Sequence, residues 1–322
     1  MTDASDAWYP VRQESIVIFE MMNPHRHTDQ NVAEAATVIL TRERAGGLQV
    51  YLLQRNPNSG FMGGHYVFPG GVLEPEDYHT RLFQAHSDLD LEALDRRLGG
   101  GLTSARALAF CVAAIRETLE EAGVFLARNE DCFEEQVIEL SRLRLTGKLP
   151  KGWLVSLVRG TRWRLTLTAL SHWSHWITPV LMKRRFDTRF FLAEMPADQI
   201  CRPNLRETVH GLWESPERAL TGNLVGKIPL SPPTLVTLHE MLAYRRLNDL
   251  QAASHRRPGD QAILPRWVPL PEGAVIIEPW DPLYREKDIQ IDPGRLPGAV
   301  LAVGEPFSRI WYDGNIWRPV RG

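Results

Sequence analysis

Cysteine is scarce in this sequence, with 3 residues among 322. Cys111, Cys132 and Cys201 are odd in number and far apart, whereas disulfide frameworks and zinc sites use cysteines at short, recurring spacings. The pattern therefore argues against a disulfide-stabilised secreted domain and against a structural zinc centre. It fits the reducing cytosol, and we expect a cytoplasmic location.

Long apolar runs and an excess of one charge are also missing. The longest uninterrupted apolar run covers residues 107–115, which is too short for a membrane-spanning helix of about 20 residues. The formal net charge is −2, so the whole chain has no electrostatic preference for nucleic acid or an anionic membrane. The acidic start, residues 1–6, is not typical of a signal peptide. We expect neither nucleic acid nor membrane among the partners, and the sequence leaves open whether the chain forms a homodimer.

An acidic helix is the most informative feature that the sequence does contain. Residues 113–124 predict a helix that is apolar on one side and carries Glu117, Glu120 and Glu121 on the other. Offsets of three and four place these carboxylates within roughly 100° of arc, where like charges repel by about 0.2–0.5 kcal/mol per pair. Such a set either points into solvent or holds a cation. Mg²⁺ prefers oxygen ligands of this kind, often beside a substrate phosphate.

A second motif lies upstream of this helix. Residues 68–77 predict a strand end, a double-glycine turn and a run of acidic side chains. Together the two segments resemble the Nudix box: residues 71–77 supply its first half, with Asp77 in place of Glu, and residues 116–124 supply its second half in full. The family pattern separates the halves by seven residues, whereas residues 78–115 intervene here. This insertion, together with Asp77, resembles the branch that contains the mammalian peroxisomal coenzyme A diphosphatases.

The resemblance implies a fold and a metal site. The expected fold is α/β: a Nudix-type α/β/α sandwich with a mixed, curved sheet, a helical insertion inside the box and a β-rich C-terminal appendage. The implied cofactor is Mg²⁺ or Mn²⁺. Its ligands would be the backbone carbonyl of Gly70 and the carboxylates of Glu117, Glu120 and Glu121.

Further roles in the box follow from the same resemblance. Arg116 would hold a carboxylate in place by a bidentate pair. The general base differs among Nudix enzymes; a box glutamate is expected, and Glu207, in a predicted strand at 206–213, is either a further candidate or an ordinary exposed residue. The candidate catalytic residues are Glu120, Glu121, Arg116 and Glu207. The candidate structural residues are Gly71, Asp77 and Gly123.

An arginine-rich strand is predicted at residues 184–192. A period of two places Arg185, Asp187 and Arg189 on one face of it. That face is either solvated or a clamp for phosphate, because guanidinium groups match phosphate geometry. The sequence from Trp176 through this strand resembles the peroxisomal branch named above, which favours the clamp.

The segment before the box contains a glycine-rich loop, residues 55–64. It is either a flexible connection or a stretch of backbone that approaches the substrate closely. The residues around it resemble those that precede the box in coenzyme A-cleaving Nudix enzymes. The candidate substrate-binding residues are Arg55, Arg184, Arg185 and Arg189.

Two histidines, His172 and His175, stand among aromatic residues in a predicted strand at 171–179. In a regular strand they would point to opposite faces and could not share one metal ion. We therefore favour a structural role for both, half-buried and hydrogen-bonded.

Composition divides the chain into segments. Basic and proline-bearing residues follow the predicted last helix, 231–246. Short apolar runs rich in Pro, Gly and Trp then predict β-hairpins packed on the main domain, one of them at 311–317. The predicted segments are an N-terminal arm or edge strand at 1–30 with a strand at 15–19, a Nudix domain at 31–252 with its helical insertion at 78–103, a linker at 253–266 and a β-rich extension at 267–322.

The resemblance implies hydrolysis of a nucleoside diphosphate linked to another moiety. Its peroxisomal branch points to coenzyme A or acyl-coenzyme A, cut to 3′,5′-ADP and (acyl-)phosphopantetheine. NADH, a nucleotide sugar or a dinucleoside polyphosphate are alternative substrates. A Nudix module that senses a nucleotide without catalysis is a further alternative, against which the retention of all three box glutamates argues.

Overall fold

The computed structural model describes residues 32–44, 46–98, 101–129, 134–204, 206–259 and 261–322. Within them the chain forms a central sheet, helices on both of its faces and a smaller sheet near the C-terminus. The arm predicted at 1–30, with its strand at 15–19, lies outside the described residues.

The central sheet is mixed and has eight strands. Its strands are β1 (Val32–Arg44), β2 (Gly47–Arg55), β3 (Tyr66–Val67), β4 (Gly70–Val72), β7 (Ser171–Ile177), β8 (Arg185–Glu194), β9 (Thr208–Glu214) and β10 (Ala262–Ile263). The order is β10-β7-β8-β1-β2-β3, with β4 paired to β1 and β9 paired to β2. β1 is parallel to β8 and β10 to β7, whereas the other pairs are antiparallel. A separate pair joins β5 (Ala127–Asn129) to β6 (Trp163–Leu165).

Strand β1 shows why both faces of this sheet are covered. Ala36, Val38 and Leu40 belong to one hydrophobic core, and Ile39 belongs to the other. All four side chains are fully buried. A strand buried on both faces needs a nearly continuous apolar sequence, and β1 has one in its central part.

Helices form one layer on each side of the sheet. One layer contains α1 (Thr80–Ala85), α2 (Leu91–Leu98), α3 (Ser104–Glu117), α4 (Glu134–Thr146) and α5 (Trp153–Gly160). The opposite layer contains α6 (Pro216–Leu224), α7 (Pro232–Met241) and α8 (Leu247–Ser254). These layers confirm the predicted α/β/α sandwich. In the described part of the chain, no helix is both long and apolar enough to cross a membrane.

The insertion between the two box halves is helical, as predicted. Its helices α1 and α2 bury Phe83, Leu94 and Leu98 in the same core as α3. Thr103 then caps α3, because its hydroxyl accepts the backbone N–H of Arg106 at 3.3 Å. The insertion therefore packs as part of the main core.

The acidic segment is not a single α-helix to Gly123. Helix α3 ends at Glu117, and Thr118–Ala122 continue it as a π-helix. Gly123 ends the segment in the left-handed region, with φ 75°, where glycine is favoured. The end point was predicted correctly, but the wider turn was not. Single π turns in helices are frequent at functional sites.

The double-glycine turn predicted at Gly70–Gly71 is wrong. Both residues lie in β4, where Gly70 pairs with Thr37 and Gly71 with Ala36. The bend precedes them, at Phe68–Pro69. A side chain at position 70 would meet the carbonyl oxygen of Ala36, so close packing is the reason for glycine here.

The last helix of the main domain, predicted at 231–246, is two helices. Helix α7 ends at Met241 and α8 begins at Leu247. The backbone N–H of Leu247 donates to Glu43 Oε2 at 3.0 Å. This carboxylate from the end of β1 satisfies one of the free N–H groups at the start of a new helix.

The C-terminal region forms a four-stranded antiparallel sheet, which confirms the predicted β-rich appendage. Its strands, in order, are β11 (Arg266–Pro269), β12 (Ala274–Ile277), β13 (Arg309–Tyr312) and β14 (Trp317–Val320). Ile276, Ile310 and Trp317 share one core with residues of the central sheet. The stretch 253–266, predicted as a linker, contains β10, and its Arg257 guanidinium lies 3.7 Å from the ring centroid of Trp173.

Candidate active site

The two halves of the box meet across the insertion. A Cβ placed on Gly71 would lie 2.3 Å from Glu117 Oε1, so the carboxylate occupies the space that a side chain would fill. The backbone N–H of Gly70 donates to Glu121 Oε2 at 2.9 Å. Strand β4 and the acidic helix are thus in direct contact, and glycine at position 71 is what allows it.

Arg116 and Asp77 form the buried link between the halves. Arg116 donates to Asp77 through Nε at 3.0 Å and through Nη2 at 2.9 Å, which is a bidentate pair. Nη2 also donates to the carbonyl of Val72, and Nη1 donates to Glu117 Oε1 at 2.7 Å. Arg116 is 4% exposed and Asp77 is 2% exposed. Asp77 is therefore the carboxylate that Arg116 holds, and the pair fixes the first half of the box to the helix.

Glu120 lies at the edge of the site. Its Oε1 accepts the indole Nε1–H of Trp153 at 2.7 Å, and Arg116 Nη1 is 3.7 Å away. Its backbone carbonyl accepts Arg144 Nη1 at 3.3 Å. The Glu120 side chain is 30% exposed, more than that of Glu117. Of the two, Glu120 is the one that a ligand could reach from solvent.

The surroundings of the three glutamates in the acidic segment disfavour the ionised form of their carboxyl groups. Burial, followed by the charges of Glu120 and Glu207, raises the pKa of Glu117, although Arg116 opposes this. Burial, followed by the charges of Glu117 and Glu207, raises the pKa of Glu121. Burial also raises the pKa of Glu120. Negative charge is crowded here, and a bound cation would relieve it.

Glu207 reaches this cluster from another part of the chain. The segment before it is attached to the acidic helix, because the N–H groups of Arg202 and Asn204 donate to the carbonyls of Ala122 and Glu121. The carbonyl of Glu207 accepts the N–H of Asn56 at 2.9 Å. Its side chain is exposed, yet its charge acts on the pKa of both Glu117 and Glu121. Glu207 thus lies at the rim of the site.

The donor set fits a hard divalent cation in chemistry, since it consists of carboxylate oxygens. Each carboxylate is engaged through one oxygen with a separate donor: Glu117 with Arg116, Glu120 with Trp153 and Glu121 with Gly70. In the part of the chain that the structure describes, no three His, Cys, Asp or Glu side chains already surround a common point. Gathering the glutamates around one ion therefore requires some of these side chains to turn.

Arg55 lies between the glycine-rich loop and the carboxylates. Its Nε donates to the carbonyl of Phe61 and its Nη2 donates to the hydroxyl of Ser59, both at 3.1 Å. Its positive charge lowers the pKa of Glu121, against the larger effect of burial. Of the four predicted substrate-binding arginines, Arg55 is the one whose charge acts on a box carboxylate.

The other three arginines are in β8 or directly before it, and β8 lies on the opposite side of β1 from β2, the strand that ends at Arg55. Arg185 and Arg189 share one face, as predicted, but the face is not solvated because both side chains are buried. Arg185 Nε donates to the carbonyl of Thr178 at 3.1 Å, and Arg189 Nη1 donates to that of Gly259 at 2.7 Å. Arg184 is exposed and stacks over the ring of Phe186.

The prediction that His172 and His175 point to opposite faces is wrong. Strand β7 has a bulge between His172 and Ser174, so His172 pairs with Phe191 and His175 pairs with Arg189. Residues 189 and 191 of β8 face the same side, and both histidines therefore do so too. Both are buried, more deeply than predicted. His175 Nε2 is hydrogen-bonded to Asp187 at 2.6 Å.

Trp153 and Arg144 escaped the sequence-based prediction. Both come from the helical segment that follows the box, and both contact Glu120. The sequence marked these positions only as parts of helices. No local spacing signals an indole that meets a carboxylate 33 residues away, because that contact depends on how α5 packs.

Comparisons with known proteins identify relatives over most of the chain. A family model described as the NUDT19 Nudix domain matches residues 31–241. The chain is 29% identical to the acyl-coenzyme A diphosphatase NUDT19 of Homo sapiens, over 86% of this chain and 84% of that protein. It is 29% identical to the protein of the same name from Gallus gallus, over 90% of each. A solved Nudix hydrolase from Alicyclobacillus acidocaldarius has the same fold, with a TM-score of 0.52 and 24% identity, over 69% of this chain and 96% of that one.

Proposed function

The chain belongs to the NUDT19 Nudix domain family, and on that premise we propose that it is a divalent-metal-dependent diphosphatase of coenzyme A and acyl-coenzyme A. The relatives named acyl-coenzyme A diphosphatase support the substrate class. The observation that carries the proposal is the contact of Glu117 and Glu121 with the Gly70–Gly71 strand. The free cysteines Cys111 and Cys201 support a cytoplasmic location, where thiols stay reduced.

In this proposal the acidic segment holds the metal. Glu117, Glu120 and Glu121, with the carbonyl of Gly70, would hold Mg²⁺ or Mn²⁺. Such an ion would offset charge on the diphosphate and would make the attacking water more acidic. Arg116 keeps Glu117 and Asp77 in place by its buried hydrogen bonds.

The chain's own groups then handle the water and the substrate. A box glutamate, or Glu207 at the rim, accepts the proton of the attacking water. Oxygen from that water bonds to one phosphorus as the P–O bond of the diphosphate breaks, which gives 3′,5′-ADP and (acyl-)phosphopantetheine. We assign the diphosphate to Arg55, because the glycine-rich loop holds its guanidinium through Phe61 and Ser59 and its charge acts on Glu121.

Contacts to the remainder of the substrate fall to other elements. Arg184 is exposed and is better placed for a phosphate than the buried Arg185 and Arg189. Phe186 connects it to the glycine-rich loop, since the Phe61 and Phe186 rings are 5.2 Å apart. We propose that this side of the site receives the adenosine phosphate.

A substrate panel tests the proposal. Coenzyme A, an acyl-coenzyme A, NADH, a nucleotide sugar and a dinucleoside polyphosphate are each incubated with Mg²⁺ or Mn²⁺, and products are identified by mass spectrometry. We expect the highest kcat/KM for the coenzyme A compounds. A higher kcat/KM for another diphosphate would identify that compound as the preferred substrate instead. No turnover of any compound would favour a nucleotide sensor.

A matched pair of variants ties the activity to the site. Glu120→Gln should lower turnover by more than about 100-fold, since it removes a charged ligand. Glu139→Gln makes the same chemical change at an exposed carboxylate of α4 that pairs with Arg142, and it should leave turnover unchanged. Equal activity of the two variants would contradict the assignment.

A further inference from the structure

The helical segment after the box contacts Glu120 at two points. Trp153, at the start of α5, donates its indole N–H to Glu120 Oε1 at 2.7 Å. Arg144, near the end of α4, donates to the Glu120 backbone carbonyl at 3.3 Å. Neither residue belongs to the Nudix box, and both lie on elements that follow it in the chain. The carboxylate and the backbone of one box residue are thus each held from outside the box.

The Trp153 ring is well fixed. Its residue is 4% exposed, and its ring packs edge-on against Phe125 with the centroids 5.8 Å apart. Its backbone N–H donates to the carbonyl of Pro150 at 3.1 Å. Gly152 precedes it in the left-handed region, with φ 66°, which sets the direction in which α5 leaves the turn. A donor held in this way keeps its direction whether or not a ligand is bound.

Glu120 gains from such a donor. A glutamate on a partly exposed turn has several rotamers, and a fixed donor selects among them. The indole donates to Oε1, and Arg116 Nη1 lies 3.7 Å from the same oxygen, so both donors act on one oxygen and Oε2 is left for a cation. Hydrogen-bond donors behind a metal ligand commonly set its orientation and its affinity for the ion.

We propose that Trp153 is a positioning residue, which holds Glu120 in the orientation that binds the divalent cation. The inference rests on the proposed function, because Glu120 is taken as a metal ligand. It makes the segment α4–α5 part of the metal site, although that segment supplies no ligand. Arg144 supports the same residue through its backbone.

Trp163 provides a matched control. It is 6% exposed, and its ring lies 5.1 Å from the same Phe125 ring. Its indole N–H also donates to a side-chain oxygen, Gln136 Oε1, at 2.8 Å. Trp153→Phe and Trp163→Phe therefore remove similar volumes and similar hydrogen bonds from the same core. They differ in the acceptor, which is a box carboxylate in only one of the two.

Electron paramagnetic resonance can measure Mn²⁺ binding by the full chain without substrate. We expect Trp153→Phe to weaken Mn²⁺ binding about 10-fold and Trp163→Phe to leave it unchanged. With coenzyme A, the Mn²⁺ concentration for half-maximal rate should rise by the same factor, while KM for coenzyme A stays the same. Equal Mn²⁺ affinity of the two variants, or no Mn²⁺ binding by the wild type, would overturn the inference.

A double-mutant cycle tests whether Trp153 acts through Glu120. In the background Glu120→Gln, the further change Trp153→Phe should no longer alter Mn²⁺ affinity. An undiminished effect in that background would also overturn the inference. Wild-type protein that binds Mn²⁺ but leaves coenzyme A intact would refute the proposed substrate alone, because the Mn²⁺ comparison does not use substrate.

An NMR measurement does not depend on the folding of a Trp153 variant. In protein labelled with ¹⁵N-tryptophan, the indole signal of Trp153 is the one that moves in Glu120→Gln. Mn²⁺ should broaden this signal in the wild type at lower concentration than any other indole signal, because the indole touches a ligand. A signal that stays sharp when Mn²⁺ is saturating would refute the proposed position of Glu120.

Discussion

At the scale of single residues, the site depends on charges that are buried in pairs. Arg116 has hydrogen bonds to Asp77, Glu117 and the carbonyl of Val72. Burial alone would lower the pKa of Arg116, but these carboxylates raise it well above its ordinary value. The guanidinium therefore stays charged, and it needs a carboxylate partner inside the protein.

Removing that partner should be costly. We expect Asp77→Ala to lower the free energy of unfolding by about 3–5 kcal/mol, because a buried guanidinium loses its bidentate acceptor. Glu92→Ala breaks an exposed pair in which the Arg96 side chain is 70% exposed and the Glu92 side chain is 90% exposed. This change should cost less than about 1 kcal/mol. Urea unfolding of both variants measures the difference. Similar values would mean that the buried pair contributes little.

His172 predicts how stability depends on pH. Burial, followed by the charges of Arg189, His175 and Arg257, lowers its pKa to about 3. Among the described residues, neither ring nitrogen has a hydrogen-bond partner. When the pH is below about 6.5, the ordinary pKa of histidine, His172 is protonated in the unfolded chain but stays neutral in the folded chain. Stability should therefore fall as the pH falls from 6.5 towards 3, by up to about 1.4 kcal/mol per pH unit from this residue.

The variant His172→Leu isolates this contribution. Its unfolding free energy, measured in urea between pH 4.5 and 7.5, should decline less steeply towards low pH than that of the wild type. A wild-type slope in His172→Leu would show that other groups cause the acid sensitivity.

At the scale of elements, local sequence patterns predicted whether a segment is a helix or a strand better than they predicted its detailed geometry. The apolar spacing and Gly123 predicted the acidic helix and its end, but the π turn at 118–122 has no spacing of its own. The alternation in β7 predicted a strand, whereas the bulge after His172 reversed which faces its side chains occupy. A single extra residue in one strand changes every later position. The pairing of β7 with β8 determines where such a shift occurs, and the sequence of β7 alone does not specify that pairing.

Strand β4 gives a prediction at this scale. A Cβ at Gly71 would meet the tip of the Glu117 side chain at 2.3 Å, whereas a Cβ at Gly70 would meet the backbone oxygen of Ala36 at the same distance. Gly71→Ala should therefore displace Glu117 and weaken Mn²⁺ binding more than about 10-fold, with little loss of stability. Gly70→Ala should mainly lower the melting temperature, because backbone must move.

Gly298→Ala is the control for both variants, since among the described residues no atom beyond its own chain neighbours lies within 4 Å of a Cβ at that position. It should match the wild type in melting temperature and in Mn²⁺ affinity. Unchanged Mn²⁺ affinity in Gly71→Ala would mean that Glu117 is not a ligand in the position described.

At the scale of the whole molecule, the C-terminal sheet is part of the main fold. The sequence predicted its hairpins from turn residues and short apolar runs. It also predicted that the hairpins pack on the main domain, but not that Ile276, Ile310 and Trp317 complete the second core, because nothing in a hairpin pattern specifies which core its apolar face completes. The backbone carbonyl of Trp317 accepts the side-chain amide of Asn223 at 2.7 Å, which joins β14 to α6.

This shared core predicts cooperative unfolding. Trp317 is 3% exposed, and Trp317→Ala should lower the free energy of unfolding by about 3–5 kcal/mol. Circular dichroism and tryptophan fluorescence should report one coincident transition in the variant as in the wild type. Two separated transitions would indicate that the C-terminal sheet unfolds independently of the central one.

The central claim is that the acidic helix and β4 together bind the ion that hydrolysis requires. Mn²⁺ occupancy and coenzyme A cleavage, measured on the same samples, test it most directly. The wild type should bind Mn²⁺ and release 3′,5′-ADP, and a folded variant carrying Glu117→Gln, Glu120→Gln and Glu121→Gln should do neither. Retention of Mn²⁺ binding or of cleavage by that variant would contradict the claim.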